Sequence, residues 1–231
     1  MAQDPQSAPL PPSLWARLPI VPACAHDPRA KMGAEDGECV GANGKKAEEA
    51  KKEPSTGPLV SRACKLLDPM PMLTAKVVHG FGRGSKMLGF PTANMEVRWD
   101  MEDTPEALSP SERKILEFAR TCETGIYYAW AQVVNGSDRG IYKVAMSIGW
   151  NPTFTDVKAK TIEPWILHDY AEDFYDCELR IVVCGFVRPE LKFDVFEELI
   201  VAIREDGEFC REALDATSVA EVAKHPFFSQ E

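Results

Sequence analysis

The apolar positions of the chain fall into two regimes. Up to about residue 70, stretches such as "APLPPS" and "GANGKKAEEAKKEPSTGP" hold neither a two-residue nor a 3.6-residue period, and Pro, Gly, Ala and charge dominate. Such a composition buries too little apolar surface to offset the entropy of ordering. Residues 1–70 are therefore expected to be a disordered, low-complexity extension whose removal, at least through residue 65, leaves activity intact. From Met72 onward regular patterns take over, and residues 71–231 are expected to form the folded domain.

Within that domain "MLTAKVVHG" reads as a first strand and "TANMEV" as a short second one. In "SPSERKILEFARTC", Ser109 is a good N-cap and Pro110 suits the first helical position. Ile115, Leu116 and Phe118/Ala119 add an apolar stripe, so this run predicts a helix, with loop over 100–108 before it. "GIYYAWAQVV" and "GIYKVAMSIG", joined through "NGSD", predict a hairpin. "KTIEPWILHDY" is extended, and Pro164 inside it argues for an edge or bulged strand. "ELRIVVCGFV" at 178–187 reads as a further strand. Phe193, Phe196, Ile200, Ile203 and Leu214 recur near a helical period, with Gly207 weakening the middle. "TSVAEVAKHP" predicts a last short helix capped by Thr217 or Ser218. Short antiparallel strands with few helices between them point to a barrel or sandwich, without the alternation of a doubly wound sheet.

Charge narrows the partners. The 231 residues carry a net charge of −10, which argues against nucleic acid as a ligand, because phosphate backbones select basic faces. No apolar run reaches the ~20 residues that span a bilayer, so no membrane association is expected. The seven cysteines include no C-x-x-C pair. Reduced thiols are expected rather than a disulfide framework or a zinc site. Without a basic start and apolar core to act as a secretory signal, the expected location is the cytoplasm.

The chemistry concentrates in "GFGRGSKMLGFPTAN" at 80–94. The loop is not a dinucleotide fingerprint, because Ser85 stands where the third glycine belongs and no helix follows. Nor is it a Walker A loop, because Phe90-Pro91 replaces Lys-Ser/Thr after Gly89. Its backbone N–H groups and Lys86 could still hold an anion, but on the loop alone a plain glycine turn that only needs positive φ is the preferred reading. In "PTAN", an extended backbone puts the oxygens of Thr92 and Asn94 on one face. Two neutral oxygens suit Mg²⁺, which shares its shell with substrate phosphates and water; alternatively the two residues cap a turn.

"GFGRGSKMLGFPTAN" closely resembles the phosphate-loop segment of riboflavin kinases. "TGIYYAWA", "SIGWNPTF", "KTIE", "EDFYD" and "GFVRPELKFD" resemble further family segments in the same order, over roughly residues 72–214. The resemblance implies a six-stranded antiparallel Greek-key β-barrel with a C-terminal helix, to which this chain adds a helical insert. It implies transfer of the γ-phosphate of ATP to the ribityl 5′-hydroxyl of riboflavin, making FMN and ADP. Mg²⁺ is the expected ion, with Zn²⁺ or Mn²⁺ as alternatives, and a monomer is expected.

By motif, Thr92 and Asn94 match the metal-binding pair, and Gly80, Gly82 and Lys86 match the loop over the nucleotide phosphates. Glu163 matches the catalytic base, while Ile166, His168 and Tyr175 match positions near the nucleotide. Arg188 matches an arginine that approaches the flavin and the transferred phosphate, which makes it a second catalytic candidate that could stabilise developing charge bidentately, and Phe196 and Glu198 stand at the flavin-side start of the C-terminal helix. This chain departs from the family in "EPWI", where Pro164 and Trp165 replace the usual Thr-His pair. It also departs in the longer insert over 100–122. A bifunctional FAD-forming enzyme is disfavoured, because the N-terminal extension cannot form a second catalytic module. The remaining alternative, a non-catalytic flavin- or nucleotide-binding module, predicts loss of Glu163, Thr92 or Asn94, and all three are present.

Overall fold

The computed structural model describes residues 60–80, 89–150 and 159–229. Strand β1 is Lys65–Leu66, β2 is Met72–Val78 and β3 is Asn94–Met95. Strands β4 to β7 are Gly125–Val133, Ile141–Trp150, Lys160–Ile166 and Glu178–Pro189. The hydrogen-bonded order is β1-β7-β2-β3-β6-β5-β4, and β4 returns to β7, so β2 to β7 close as a six-stranded antiparallel barrel. Strands β4, β5 and β6 are consecutive neighbours, and the chain enters β4 from β3, which lies on the far side of β6. That is a Greek-key path.

Alternation divides each strand between two faces. Leu73, Val77, Met95, Ala129, Val144, Met146, Ile148, Ile162, Ile166 and Ile181 fill the barrel. Tyr128, Trp130, Ala145, Val182 and Cys184 face outward into a second core with Cys210, Leu214, Phe227 and Phe228. The barrel thus has no solvated outer face where the C-terminal elements cover it.

The expected mid-strand disturbance at Pro164 takes a specific form. Pro164 pairs with Met146 of β5, and its carbonyl accepts the Ala93 N–H at 2.9 Å. In an antiparallel ladder a residue's nitrogen and oxygen point the same way. The missing N–H therefore falls on the β3 side, where the partner strand is only two residues long, and the β5 ladder is untouched.

Helix α1 (Pro110–Thr121) forms where expected. Ser109 caps it, and Glu112 returns the bond to the Ser109 N–H at 2.8 Å, completing a capping box. Ile115 and Ala119 pack into the barrel core. Buried Lys160, at the start of β6, donates to the carbonyl of Cys122 at 2.5 Å just past the helix end, a favourable place for a cation. The helix of the insert therefore packs on the barrel core through Ile115 and Ala119. The segment before it, expected as loop, contains 3₁₀ turns at Trp99–Met101 and Pro105–Ala107.

Helix α2 (Phe196–Ala213) also forms, and of the expected apolar series Leu214 at its end is fully buried, but Ile200 and Ile203 are only half-buried. Its buried positions are Ala202, Asp206, Gly207 and Cys210, while Phe196 is 54% exposed. Helix α3 (Thr217–Ala220) starts at Thr217 with Ala216 as its cap, so neither Thr217 nor Ser218 fills that role.

The folded part begins earlier than residue 70. Val60 and Met70 are buried, β1 pairs with Gly185 and Phe186 of β7, and the Leu67 N–H reaches the Cys184 carbonyl at 3.0 Å. Residues 1–59 of the expected extension lie outside the described residues.

Candidate active site

The site is organised by β3 and β6. Met95 pairs with Ile162, and the Ala93 N–H bonds to Pro164. That register sets Asn94 opposite Glu163 and Thr92 opposite Trp165. Ala93 and Met95 point into the core, so by alternation Thr92 and Asn94 point outward. Ile162 and Ile166 likewise point inward, which turns Glu163 and Trp165 outward. On its other side Glu163 pairs with Ser147 of β5. The candidate metal pair and the candidate base thus meet on one outer face, brought together from positions about 70 residues apart in the sequence.

Gly80 belongs to this group. Val78 pairs with Asn94, and a Cβ on Gly80 would overlap the Asn94 side-chain amide. The glycine lets the chain leave β2 directly beside that amide. Gly82 and Lys86 lie outside the described residues.

Tyr175 stands at the same exit. Its ring stacks on His79 with centroids 3.8 Å apart. The next residue, Asp176, has φ of 64° and forms an ion pair with Lys76 at 2.7 Å. The Lys76 hydrogen bond and charge hold the Asp176 carboxyl below its ordinary range. This positive-φ turn, anchored to β2, presents the Tyr175 ring to the start of the glycine loop.

His168 sits farther along. Its ring stacks on Tyr142 at 3.7 Å and 7°, and Nε2 lies 2.9 Å from Asp138 Oδ2. Asp138 also accepts the Gly140 N–H and the Tyr142 hydroxyl. Those bonds, led by the Gly140 N–H, lower its carboxyl below the usual carboxylate range. Ile166 is buried in the barrel core. It nevertheless borders, with Gly89, Pro91, Trp165, His168 and Arg211, a cavity of about 410 Å³.

The flavin-side candidates occupy another region. Phe196 and Glu198 are exposed on the first turn of α2, with Leu191 and Val195 also close to half exposed just before it. Arg188 is only 5% exposed, and its fork is turned onto Asp206 of α2, with Nη2 2.6 Å from Oδ2 and Nε 2.9 Å from Oδ1. Its Nη1 donates to the Pro189 carbonyl. The sequence reading passed over Asp206 and His79. A polar residue inside the buried stripe of an amphipathic helix was the available signal for Asp206.

Comparison with known proteins bears on this arrangement. The Flavokinase family, described as riboflavin kinase, matches residues 68–214. A bifunctional riboflavin kinase/FMN phosphatase of Arabidopsis thaliana is 44% identical over 154 residues, 67% of this chain and 36% of its own length. The chain therefore spans little more than a third of that relative. Riboflavin kinases of Mus musculus and Homo sapiens are 39% and 38% identical over 153 residues, covering 66% of this chain and 86% of theirs. A crystal structure of riboflavin kinase from Trypanosoma brucei aligns at 30% identity over 69% of this chain and 88% of that chain, with a TM-score of 0.49.

Proposed function

The chain belongs to the riboflavin kinase family, and we propose from that premise that it moves the γ-phosphoryl of ATP to the ribityl 5′-hydroxyl of riboflavin, giving FMN and ADP. The observation that carries the mechanism is the register that sets Asn94 opposite Glu163 on one outer face. Phosphoryl transfer asks for positioning and charge stabilisation rather than covalent chemistry by the protein. A primary alcohol is a weak nucleophile, and Glu163 orients it and accepts its proton.

Thr92 and Asn94 are the residues that would hold a divalent ion. Their oxygens are neutral and hard, and the Asn94 amide is set in place against Gly80. Few protein ligands and room for phosphate oxygens and water suit Mg²⁺. Once bound, the ion would neutralise charge on the phosphates. Among the described residues no group of three or more His, Cys, Asp or Glu is placed to hold a metal, so an all-protein cage is not part of this reading. Zn²⁺ and Mn²⁺ are the alternatives.

The nucleotide side is assigned to the loop from Gly80, including Gly82 and Lys86, and to Tyr175, His168 and Ile166. The isoalloxazine side is assigned to the exposed apolar group at the start of α2, with Phe196 as its aromatic member and Glu198 beside it. Arg188 serves this side from the β7–α2 seam. The chain is read as a cytoplasmic monomer; among the described residues no helix is long and apolar enough to cross a membrane. The test is direct: the purified full chain, given riboflavin and Mg-ATP, makes FMN and ADP. A folded sample that binds riboflavin but makes no FMN would sink the kinase reading in favour of a non-catalytic flavin-binding module.

A further inference from the structure

Asp206 receives two arginines. Its side chain is 4% exposed, and besides Arg188 it accepts Arg62 Nε on Oδ1 at 2.8 Å. Arg62 itself is 7% exposed at its side chain and reaches further. Nη1 pairs with Glu205 at 3.0 Å and Nη2 donates to the Ala202 carbonyl at 3.0 Å. Nη1 also donates to the Val60 carbonyl at 2.9 Å, which folds its own segment around it. One guanidinium thus ties helical positions 202, 205 and 206 to the chain ahead of β1, and Arg188 ties position 206 to β7. Arg62 lies upstream of residue 68, where the family match begins.

Among the described residues the flavin-side turn of α2 is lightly packed, with Leu199 and Ile200 half-buried ahead of position 202. Phe196, Glu197 and Glu198 are exposed, as is Val201. The N-cap, Val195, makes no side-chain capping bond. The first buried position is Ala202, whose carbonyl is one of the groups Arg62 holds. We infer that Arg62 is a positioning residue for flavin binding. Through Ala202 and Asp206 it ties the middle of α2 to the segment ahead of β1, which is itself bonded to β7 from the Ala63 N–H to the Val187 carbonyl, so that Arg188 and the turn bearing Phe196 and Glu198 keep their places. This inference rests on the assignment of riboflavin to the start of α2. Arginine suits the task because its planar fork meets three acceptors in fixed directions, which a lysine ammonium cannot reproduce.

The experiment compares the full chain with R62A and R62K. It reads equilibrium flavin binding from quenching of riboflavin and FMN fluorescence, and it reads KM for each substrate. R62A should weaken flavin binding and raise the riboflavin KM roughly three- to thirtyfold, with the ATP KM within about twofold; R62K should fall between R62A and the wild type. Unchanged flavin binding in folded R62A overturns the inference, as does an equal rise in both KM values. If R62A does not fold, R62K carries the test, and wild-type flavin affinity in R62K overturns the inference. Failure of the kinase reading is distinguishable, because it removes FMN formation from the wild type while the fluorescence comparison still reports on Arg62.

Discussion

The indole of Trp165 fills the space where a Cβ on Gly207 would stand. In the sequence Trp165 stands where the family usually has histidine after the candidate base, and Gly207 is a glycine in mid-helix. Together they form a fitted contact, completed by Phe90, whose ring meets Trp165 edge-on at 5.0 Å. Gly→Ala in a helix interior ordinarily stabilises by about 0.5–1 kcal/mol. Here G207A should instead destabilise by roughly 1–3 kcal/mol, as overpacking does. Adding W165H should recover part of that loss in urea unfolding; strictly additive effects would show that the two residues are not coupled.

E163Q should lower kcat by roughly 10²–10⁴-fold, the usual contribution of a positioned base, while the ATP KM holds. Steady-state FMN formation measures both. Near-normal turnover would remove Glu163 from the chemistry and leave it as an outward-facing strand carboxylate.

Gly80 should matter through Asn94. A Cβ at residue 80 displaces the end of a flexible side chain, so G80A should cost little stability. It should nevertheless raise the Mg²⁺ concentration for half-maximal activity about tenfold, the lower end for disturbing what orients a metal ligand. N94A should move the same parameter in the same direction. An unchanged metal requirement in both variants would argue against the metal assignment.

The Asp138 cluster predicts an acid-side signature. Its carboxyl is lowered in the fold, so its contribution to stability is present above the unfolded value of about 3.9 and is lost as pH falls through the lower folded value. D138N should therefore be less stable than wild type near pH 5, with the gap closing towards pH 3. Urea midpoints across that range test this, and a gap independent of pH would reject it.

Where the chain can be shortened follows from Arg62. Removing residues 1–59 takes away none of the described contacts and should leave the melting temperature unchanged. Removing residues 1–65 deletes Arg62 and part of β1, and should lower the melting temperature and flavin affinity together. That revises the expectation that everything through residue 65 is dispensable, and equal melting temperatures for the two truncations would restore it.

The sequence by itself determined the strands of the barrel, helix α1 and its Ser109 cap, because alternation and capping are local and each is written within about a dozen residues. Its motifs also named Thr92, Asn94 and Glu163 as candidates. Only the tertiary structure decided that Asn94 and Glu163 are neighbours, since register between β3 and β6 is a long-range property. It also decided which face of α2 is buried. Periodicity counted the large apolar residues, but the helix packs through Ala202, Asp206, Gly207 and Cys210. Trp165 needs a glycine beneath it, and a buried carboxylate needs Arg188 and Arg62 around it. Those partners lie 18 and 144 residues from Asp206, where no local pattern could join them.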